Sequence, residues 1–428
     1  MQVRLSRNNH PPRFPFNPWL HRWALVTAAA TLALLGAGGL VTSHGAGLAV
    51  PDWPNTYGYN MFLFPVSRWV GGIFYEHTHR LLATVVGVMT LLLALWLHGE
   101  RARRFLRWTG LLLICSGVGA CLAAPGRWAD ALVSGGAGFA GLVLGCVWPR
   151  CEPAPRWLRR LGTAAFLAVV GQGVLGGLRV VLLKDQIGII HATLAQLFFV
   201  LVCAIALFTS RWWWQSKSAA SLSEFRQRGL DPGLLKGVNA MFLGTTLLVL
   251  GQLALGATMR HQHAGLAIPD FPLAYGRLWP GTDSASIARY NLHRIEVFAA
   301  NPITTFQIQL QMLHRLNAIC IVAAVAACAW FARRRFGGRH LISTLAMVWL
   351  GVIMTQVLLG AATIWSGKAA DVATAHVVVG ALSMALGGLA TAILWRDSLV
   401  FRKFALHESP GFAAGPVSFN PVPVPRVN

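Results

Sequence analysis

The chain has 428 residues, of which 55% are hydrophobic and only 12% are charged, and its mean hydropathy is +0.56. Soluble domains carry roughly 25% charged residues, so this composition excludes an ordinary soluble domain and indicates a membrane protein. The 36 basic residues exceed the 14 acidic ones and give a formal charge of +22.

Apolar stretches of about 20 residues have the length needed to cross a bilayer as a helix. In chain order, ten stretches are predicted to do so: 22–42, 79–98, 109–124, 130–148, 161–179, 187–208, 237–258, 312–332, 341–362 and 372–395. The sequence therefore predicts an all-α, polytopic transmembrane protein. The polar, basic residues 209–236 predict a cytoplasmic linker, and the Pro- and Gly-containing tail 396–428 predicts disorder.

The basic residues recur on one predicted side of the membrane. They precede the first helix and follow the second, fourth, sixth, eighth and tenth. This is the pattern of the positive-inside rule, and it predicts a multi-pass protein of the cell inner (plasma) membrane with both termini in the cytoplasm. The positive charge is thereby explained by topology, and no nucleic-acid partner is predicted.

Several sequence elements occur twice in the same order, which indicates an internal repeat. The paired elements are HGAGLAVPDWPNTYG (44–58) with HAGLAIPDFPLAYG (263–276), HRLLA (79–83) with HRLNA (314–318), GQGVLGG (171–177) with TQVLLGA (355–361), and His191 with His376. The repeat predicts two pseudo-equivalent four-helix bundles, within residues 1–208 and 237–395. The first bundle has about 50 more residues between its histidines, which predicts an extra helical hairpin inserted at about 109–148.

Four histidines fall at corresponding places inside the predicted membrane helices: His79, His191, His314 and His376. An ionisable group in the bilayer is energetically expensive and indicates function. A single helical histidine is more often a packing residue, but four at repeat-equivalent positions favour two bis-histidine heme sites, each held between two helices. Zinc or non-heme iron would need further Cys or carboxylate ligands beside the histidines.

A carboxylate accompanies only one histidine pair. Glu76 lies three residues before His79 on the same helix face, whereas Gln311 occupies that place before His314. Either Glu76 is a solvated interfacial residue, or the first bundle performs proton-coupled chemistry while the second transfers electrons. Arg80 follows the first histidine as Arg315 follows the third, and both either bind heme propionates or extend toward the membrane interface.

The two PD(W/F)P segments combine proline with aromatic residues and are interpreted as rigid covers over the bundle mouths. Within them, Asp52 and Asp270 are expected to cap local backbone. Positions interpreted as allowing close packing against a helix or a macrocycle are Gln172, Gly176, Gly177, Gln356 and Gly360.

Taken together, EHTHRLLA (76–83), the PDWP and PDFP loops, QGVLGG (172–177), His191 and His376 resemble the heme A synthase family over residues from about 25 to 395. The resemblance implies a membrane oxidoreductase that oxidises the C8 methyl group of heme O to a formyl group, giving heme A for terminal oxidases. It also implies a heme b cofactor in the C-terminal half.

By the same resemblance, His314 and His376 would ligate heme b, and His79 and His191 would flank the iron of the substrate heme. Glu76 matches the family's essential glutamate. Two features depart from the pattern: residues 44–78 lack the cysteine pair of many bacterial members, and the inserted hairpin lies outside the eight-helix plan.

Expected partners are the heme O substrate, a heme O synthase, terminal oxidase assembly factors and an unidentified electron partner, and the oligomeric state is left open. The main alternative is a bis-histidine di-heme electron carrier of the cytochrome b type, which explains the histidines but not the unpaired Glu76. A transporter built from parallel repeats is disfavoured, because the ionisable residues cluster at one membrane side rather than at the midplane.

Overall fold

The computed structural model describes residues 16–124, 126, 128–214, 231–293 and 302–407. Within these ranges ten helices are long and apolar enough to cross a membrane, which confirms the predicted polytopic helical membrane protein. They are α1 (Pro18–Ser43), α2 (Gly71–His98), α3 (Arg101–Ala123), α4 (Trp128–Val147), α5 (Arg156–Leu182), α6 (Asp185–Thr209), α7 (Pro232–His261), α8 (Thr305–Phe336), α9 (Leu341–Trp365) and α10 (Ala370–His407).

Local sequence fixes where several of these helices begin. The Asn17 side chain accepts hydrogen bonds from the first free backbone N–H groups of α1, and Asp231 does the same for α7. Each of these caps is followed by a proline, whose missing N–H costs nothing at the first helical position. Thr304 and Gln307 form a reciprocal capping box at the start of α8.

Most of the helices start earlier than their hydropathy predicts, α3 at Arg101 rather than 109 for example, and two of these shifts concern the candidate site. Helix α2 begins at Gly71 rather than 79, and α8 begins at Thr305 rather than 312. The additional turns carry polar side chains that lower the hydropathy, yet the connecting segments cover them: Glu76 is 4% exposed and Gln311 is 2% exposed. As a result, His79 and His314 lie about two turns inside their helices.

The tail predicted to be disordered from residue 396 is helical as far as His407. No glycine or proline interrupts residues 396–407, and the Arg396 guanidinium lies over the rings of Trp212 and Trp213, 4.7 and 5.3 Å from their centroids. These contacts hold the start of the predicted tail against the short helix Arg211–Trp214. The remaining tail, 408–428, and linker residues 215–230 lie outside the described residues.

The helices pack as two four-helix bundles with the same pairings. Helix α1 packs on α2 and α6, and α5 packs on α2 and α6; α7 likewise packs on α8 and α10, and α9 on α8 and α10. Each bundle has its own core, around Leu93, Leu158 and Ile205 in the first and Phe242 and Trp349 in the second. The bundles meet where α1 and α6 contact α7 and α10. The internal repeat itself stays a sequence prediction.

Helices α3 and α4 pack mainly on each other, outside the first bundle. Their backbones approach closely at two glycines: a Cβ on Gly110 would lie 2.6 Å from the carbonyl oxygen of Gly138. The hairpin joins the rest of the chain at a narrow neck, where Glu100 N donates to Cys151 O at 3.1 Å and Ala154 N donates to Leu97 O at 2.9 Å. The hairpin also contacts the first bundle: Leu106 and Trp148 pack with Leu95 of α2, and Asn60 in the connecting segment 44–70 donates to Asp130 Oδ1 at 3.0 Å.

Candidate functional site

The functional side chains gather at one end of the bundles, the loop side, where residues 44–70 and 262–283 connect the helices. In the first loop, the Asp52 carboxylate accepts the backbone N–H groups of Tyr57 and Gly58, both at 2.8 Å. The Tyr57 hydroxyl donates to Ala49 O at 2.6 Å. The turn places Tyr57 and Gly58 at positive φ, a conformation that glycine adopts without strain.

The second loop repeats these bonds. Asp270 accepts the N–H groups of Tyr275 and Gly276 at 2.7 and 2.8 Å, and the Tyr275 hydroxyl donates to Ala267 O. The predicted capping role of Asp52 and Asp270 is thereby confirmed. The first loop also covers the bundle end, because the Trp53 ring lies against α5 where a Cβ on Gly177 would come within 2.3 Å of it.

Glu76 joins the first loop to α2. Its Oε2 accepts the backbone N–H of Val50 at 2.8 Å, and its Oε1 forms an ion pair with Arg80 Nη2, also at 2.8 Å. The residue is buried, so the alternative of a solvated interfacial glutamate is wrong. A carboxylate that is removed from water and paired with one guanidinium lies one helical turn from His79.

Gln311 occupies the corresponding place under the second loop. Its Oε1 accepts the N–H of Ile268 at 2.7 Å, and its Nε2 donates to the carbonyl oxygens of Ile268 and Gly265 at 3.2 and 3.4 Å. The amide thus acts as acceptor and donor at once, without help from an arginine. Each loop is held by a backbone N–H at the equivalent position, Val50 in the first loop and Ile268 in the second. Only the first N–H bonds to a charged group.

Arg80 and Arg315 hold the loops in this structure. The four terminal N–H groups of Arg80 face four acceptors: the carbonyl oxygens of Val50, Asp52 and Asn55, and Glu76 Oε1. Arg315 donates to Asp270 O at 2.7 Å and Leu273 O at 2.8 Å. The predicted binding of heme propionates by these two arginines stays a prediction, and for Arg80 it would require loop bonds to be given up.

Each of the four histidines faces a glycine on a neighbouring helix. A Cβ added to the glycine would approach the histidine Cε1 to 3.0 Å for Gly38 and His79, 3.5 Å for Gly176 and His191, 3.5 Å for Gly256 and His314, and 3.2 Å for Gly360 and His376. The glycines leave room for an imidazole ring on the inner face of each bundle. Gly176 and Gly360 have the close-packing role expected of them, whereas Gly38 and Gly256 were not singled out from sequence.

The histidines form two pairs. His79 lies within electrostatic range of His191, and His314 within range of His376. All four residues are only partly buried, yet Nδ1 of His79, His314 and His376 is buried without a hydrogen-bond partner. For His191, the Gln172 side-chain amide lies 2.8 Å from Nδ1. In the described part of the chain, no group of three or more His, Cys, Asp or Glu side chains comes together.

This arrangement fits bis-histidine heme better than a small metal ion. Heme iron takes two axial imidazoles and gets its other four ligands from the porphyrin, whereas zinc needs three or four protein ligands. The glycines leave space beside the rings. Because Nδ1 of three of the rings is enclosed by protein, a heme iron would bind these rings through Nε2.

His77 is a buried residue that the sequence did not single out. It is fully buried, with Nδ1 3.2 Å from the Thr56 hydroxyl and with the rings of Phe64 and Trp69 against it, at centroid distances of 5.1 and 4.7 Å. It joins the first loop to α2 without touching the histidine pair. The equivalent residue in the second half is Met312, so the comparison of the two repeat copies did not point to a histidine here.

The fold and the site define a multi-pass helical membrane protein with paired histidines inside two bundles and a buried acid beside one pair. A family model described as cytochrome oxidase assembly protein, COX15-CtaA, matches residues 126–386, more than half of the chain. The chain belongs to this family.

Curated relatives agree over most of the length. The chain is 26% identical to the heme A synthase of Rhizorhabdus wittichii over 384 residues, which cover 88% of this chain and 92% of the relative. It is 27% identical to that of a Methylobacterium species over 380 residues, covering 84% and 89%. It is 25% identical to that of Sphingopyxis alaskensis over 385 residues, covering 89% and 93%.

Proposed function

We propose that this protein is an oxidoreductase with the activity of a heme A synthase, converting the C8 methyl group of heme O to a formyl group. The observation that carries the proposal is the difference between the two bundles: a buried carboxylate, Glu76, lies beside one histidine pair, and a neutral amide, Gln311, lies beside the other. A protein that only relays electrons between two equivalent sites would have no use for this difference. The relatives named heme A synthase support the same reaction.

The histidine pairs divide the work. His314 and His376 would hold a heme b cofactor in the C-terminal bundle, residues 237–395, and His79 and His191 would hold the substrate heme in the N-terminal bundle, residues 1–208. Heme b, when bound, supplies one-electron redox chemistry next to the substrate site. Two facing imidazoles with a glycine beside each ring support both assignments.

Glu76 is proposed as the proton acceptor. With water as the oxygen source, the conversion R–CH3 + H2O → R–CHO + 4 H⁺ + 4 e⁻ releases protons, which need a base within reach, while the electrons pass to the electron partner. The carboxylate is held in place by its contact with the Arg80 guanidinium, 2.8 Å from Oε1 to Nη2. The bond from Val50 N–H fixes the orientation of the carboxylate toward the first loop.

The basic residues support an inner-membrane location with both termini in the cytoplasm. That topology puts the histidine pairs and the two loops near the outer face of the membrane. The hydrophobic substrate would arrive from within the bilayer or from a heme O synthase, and the product would pass to terminal oxidase assembly. Electrons would leave to a partner of unknown identity.

The test is to express the chain together with a heme O synthase in a host that makes no heme A, and to separate the extracted hemes by chromatography with mass detection. We expect heme A with the wild type and none with His79→Ala. We expect His376→Ala to lose heme b from the purified protein. If only heme b and unmodified heme O are found while the protein has a bis-histidine spectrum, the protein is an electron carrier and the proposal is wrong.

A further inference from the structure

Two arginines outside the sequence motifs lie one helical turn beyond the glycines that face the histidines. Arg260 is four residues after Gly256 on α7, and Arg179 is three residues after Gly176 on α5. Residues three or four apart share a helix face, so each arginine lies on the histidine-facing side of its helix, one turn closer to the loop side. This is the level at which the polar edge of a molecule held by the histidines would emerge.

Arg260 is a partly buried cation with neutral partners. Its Nη1 donates to the Thr42 hydroxyl and its Nη2 to the Ser43 hydroxyl at 3.3 Å, both on α1 of the other bundle. It lies within electrostatic range of His376. No carboxylate in the described ranges lies within ion-pair distance of it. A guanidinium has five N–H groups, so most of its donors and its whole charge are uncompensated.

Arg179 is in a similar position in the first bundle. Its Nη1 donates to Gly47 O at 2.8 Å, and it lies within electrostatic range of His191 and of His261 at the end of α7. Asp185 is half-exposed and lies 3.9 Å from His261 Nδ1, and in the described ranges no carboxylate lies within ion-pair distance of Arg179. Arg179 therefore donates one hydrogen bond to a protein acceptor among the described residues, out of its five N–H groups.

These two arginines differ from Arg80 and Arg315. Arg80 directs all four terminal N–H groups to the first loop and Glu76, and Arg315 donates two bonds to the second loop. Arg260 and Arg179 instead extend from the glycine-bearing helices; Arg260 donates to two hydroxyls of α1, and Arg179 makes a single bond, to Gly47 O. A heme has a hydrophobic body and two carboxylates on one edge, and a guanidinium binds a carboxylate through paired N–H groups.

We propose that Arg260 binds the propionate carboxylates of the heme held by His314 and His376, and that Arg179 does so for the heme held by His79 and His191. The inference rests on the proposed function only in assuming that the histidine pairs hold hemes. Because Thr42 and Ser43 belong to the N-terminal bundle, that bundle orients the propionate anchor of the C-terminal site. The alternative is that Arg260 only ties the two bundles together.

The experiment compares hemin with hemin dimethyl ester, which has the same ring but no carboxylates. Full-length protein carrying His79→Ala, so that only the C-terminal pair remains, is purified from heme-deficient cells and titrated with each compound. The low-spin bis-histidine absorption spectrum reports binding. We expect hemin to bind at least about tenfold more tightly than the ester, which is the usual size of a charge-assisted hydrogen bond. Adding Arg260→Gln should abolish this preference by weakening hemin alone.

Arg315→Gln in the same background is the matched control and should keep the preference. The proposal is overturned if Arg260→Gln keeps it, or if Arg315→Gln removes it instead. If the glutamine variant binds neither compound, Arg260→Lys decides, because a retained charge should preserve the preference for the free acid and equal binding would contradict it. Arg179→Gln is tested likewise in a His314→Ala background. If the unsubstituted chain binds neither compound, the proposed heme sites fail as well.

Discussion

The two loop anchors of this protein perform the same structural task with different chemistry. Under the first loop, the Glu76 carboxylate accepts Val50 N–H, and Arg80 donates to Val50 O. Under the second loop, the Gln311 amide accepts Ile268 N–H and itself donates to Ile268 O. The Gln311 amide supplies both an acceptor and a donor to one loop residue, whereas the first half uses the Glu76 carboxylate as acceptor and Arg80 as donor.

The difference shows that the fold alone does not require a carboxylate. A neutral amide is sufficient to fasten a loop of this shape in the same molecule, so the buried charge in the first half adds a desolvation cost without a structural need. What a carboxylate can do and an amide cannot is exchange a proton. The comparison therefore supports the proposed role of Glu76 in proton transfer, since Gln311 performs the structural task without a charge.

The largest expected effect is that of exchanging the two anchors. Glu76→Gln should lower heme A formation by about 100-fold or more, the usual contribution of a positioned base. The second half already shows how glutamine holds such a loop, so the protein should remain folded and keep its heme b spectrum. Chromatography of extracted hemes and thermal melting in detergent measure the two properties.

Gln311→Glu is the reciprocal control, and we expect it to leave heme A formation within about threefold, because Arg315 lies four residues on and can pair with the new carboxylate. If Glu76→Gln keeps full activity, or if both exchanges reduce it equally, the division of roles between the halves is refuted.

Arg80 and Arg315 should differ in their effect on stability. Arg80→Gln leaves the Glu76 charge buried and unpaired, which typically costs about 3 kcal/mol or more. Arg315→Gln removes two bonds to carbonyl oxygens and should cost roughly half as much. The double variant Glu76→Gln with Arg80→Gln should be more stable than Arg80→Gln alone. The measurement is the melting curves of the wild type, the double variant and the single variants Glu76→Gln, Arg80→Gln and Arg315→Gln. Additivity of the Glu76 and Arg80 changes would contradict the ion-pair explanation.

The glycines allow a finer comparison. A Cβ at Gly38 would lie 3.0 Å from His79 Cε1, so Gly38→Ala must displace the ring, whereas the 3.5 Å at Gly256 is an ordinary contact. We expect Gly38→Ala to weaken heme O binding by about fivefold or more, the low end of the cost of overpacking. Gly256→Ala should leave heme b affinity nearly unchanged. Equal effects in the two halves would show that the glycines do not provide ligand-ring space.

The smallest effects are expected at the loop tyrosines. Tyr57→Phe and Tyr275→Phe each remove one hydrogen bond, worth about 1 kcal/mol. Burial, with Tyr290 stacked at 3.5 Å, raises the pKa of Tyr275 from its ordinary value near 10 to about 12. Its stabilising contribution should be complete below pH 10 and lost as the pH rises through about 12. A Tyr275→Phe protein whose alkaline melting profile matches the wild type would contradict this.

Hydropathy predicted every membrane helix, because crossing a bilayer demands a long apolar run that little else imitates. It missed the starts of α2 and α8, where tertiary contacts rather than lipid bury Glu76 and Gln311. The repeat identified the four histidines. It could also have identified Gly38 and Gly256, because each lies nine residues before the first glycine that the two loop copies share, Gly47 and Gly265. The bonds of Arg80 and Arg315 were not predictable, because they depend on how each loop folds back over its helix.

The hydrogen-bonded neck of the α3–α4 hairpin makes this part of the chain a suitable place for insertions and deletions. The two ends of the hairpin are hydrogen-bonded to each other, Glu100 N to Cys151 O. The C-terminal end of α2 and the segment that leads into α5 are therefore adjacent in space. Because the hairpin adds two membrane crossings, the chain returns to the side of the membrane that it left. Every later helix therefore keeps its orientation in the bilayer. The neck is thus the place where the hairpin could be removed or extended without inverting any later helix, and removal would expose the α2 surface around Leu95 and free Asn60 of the first loop from Asp130.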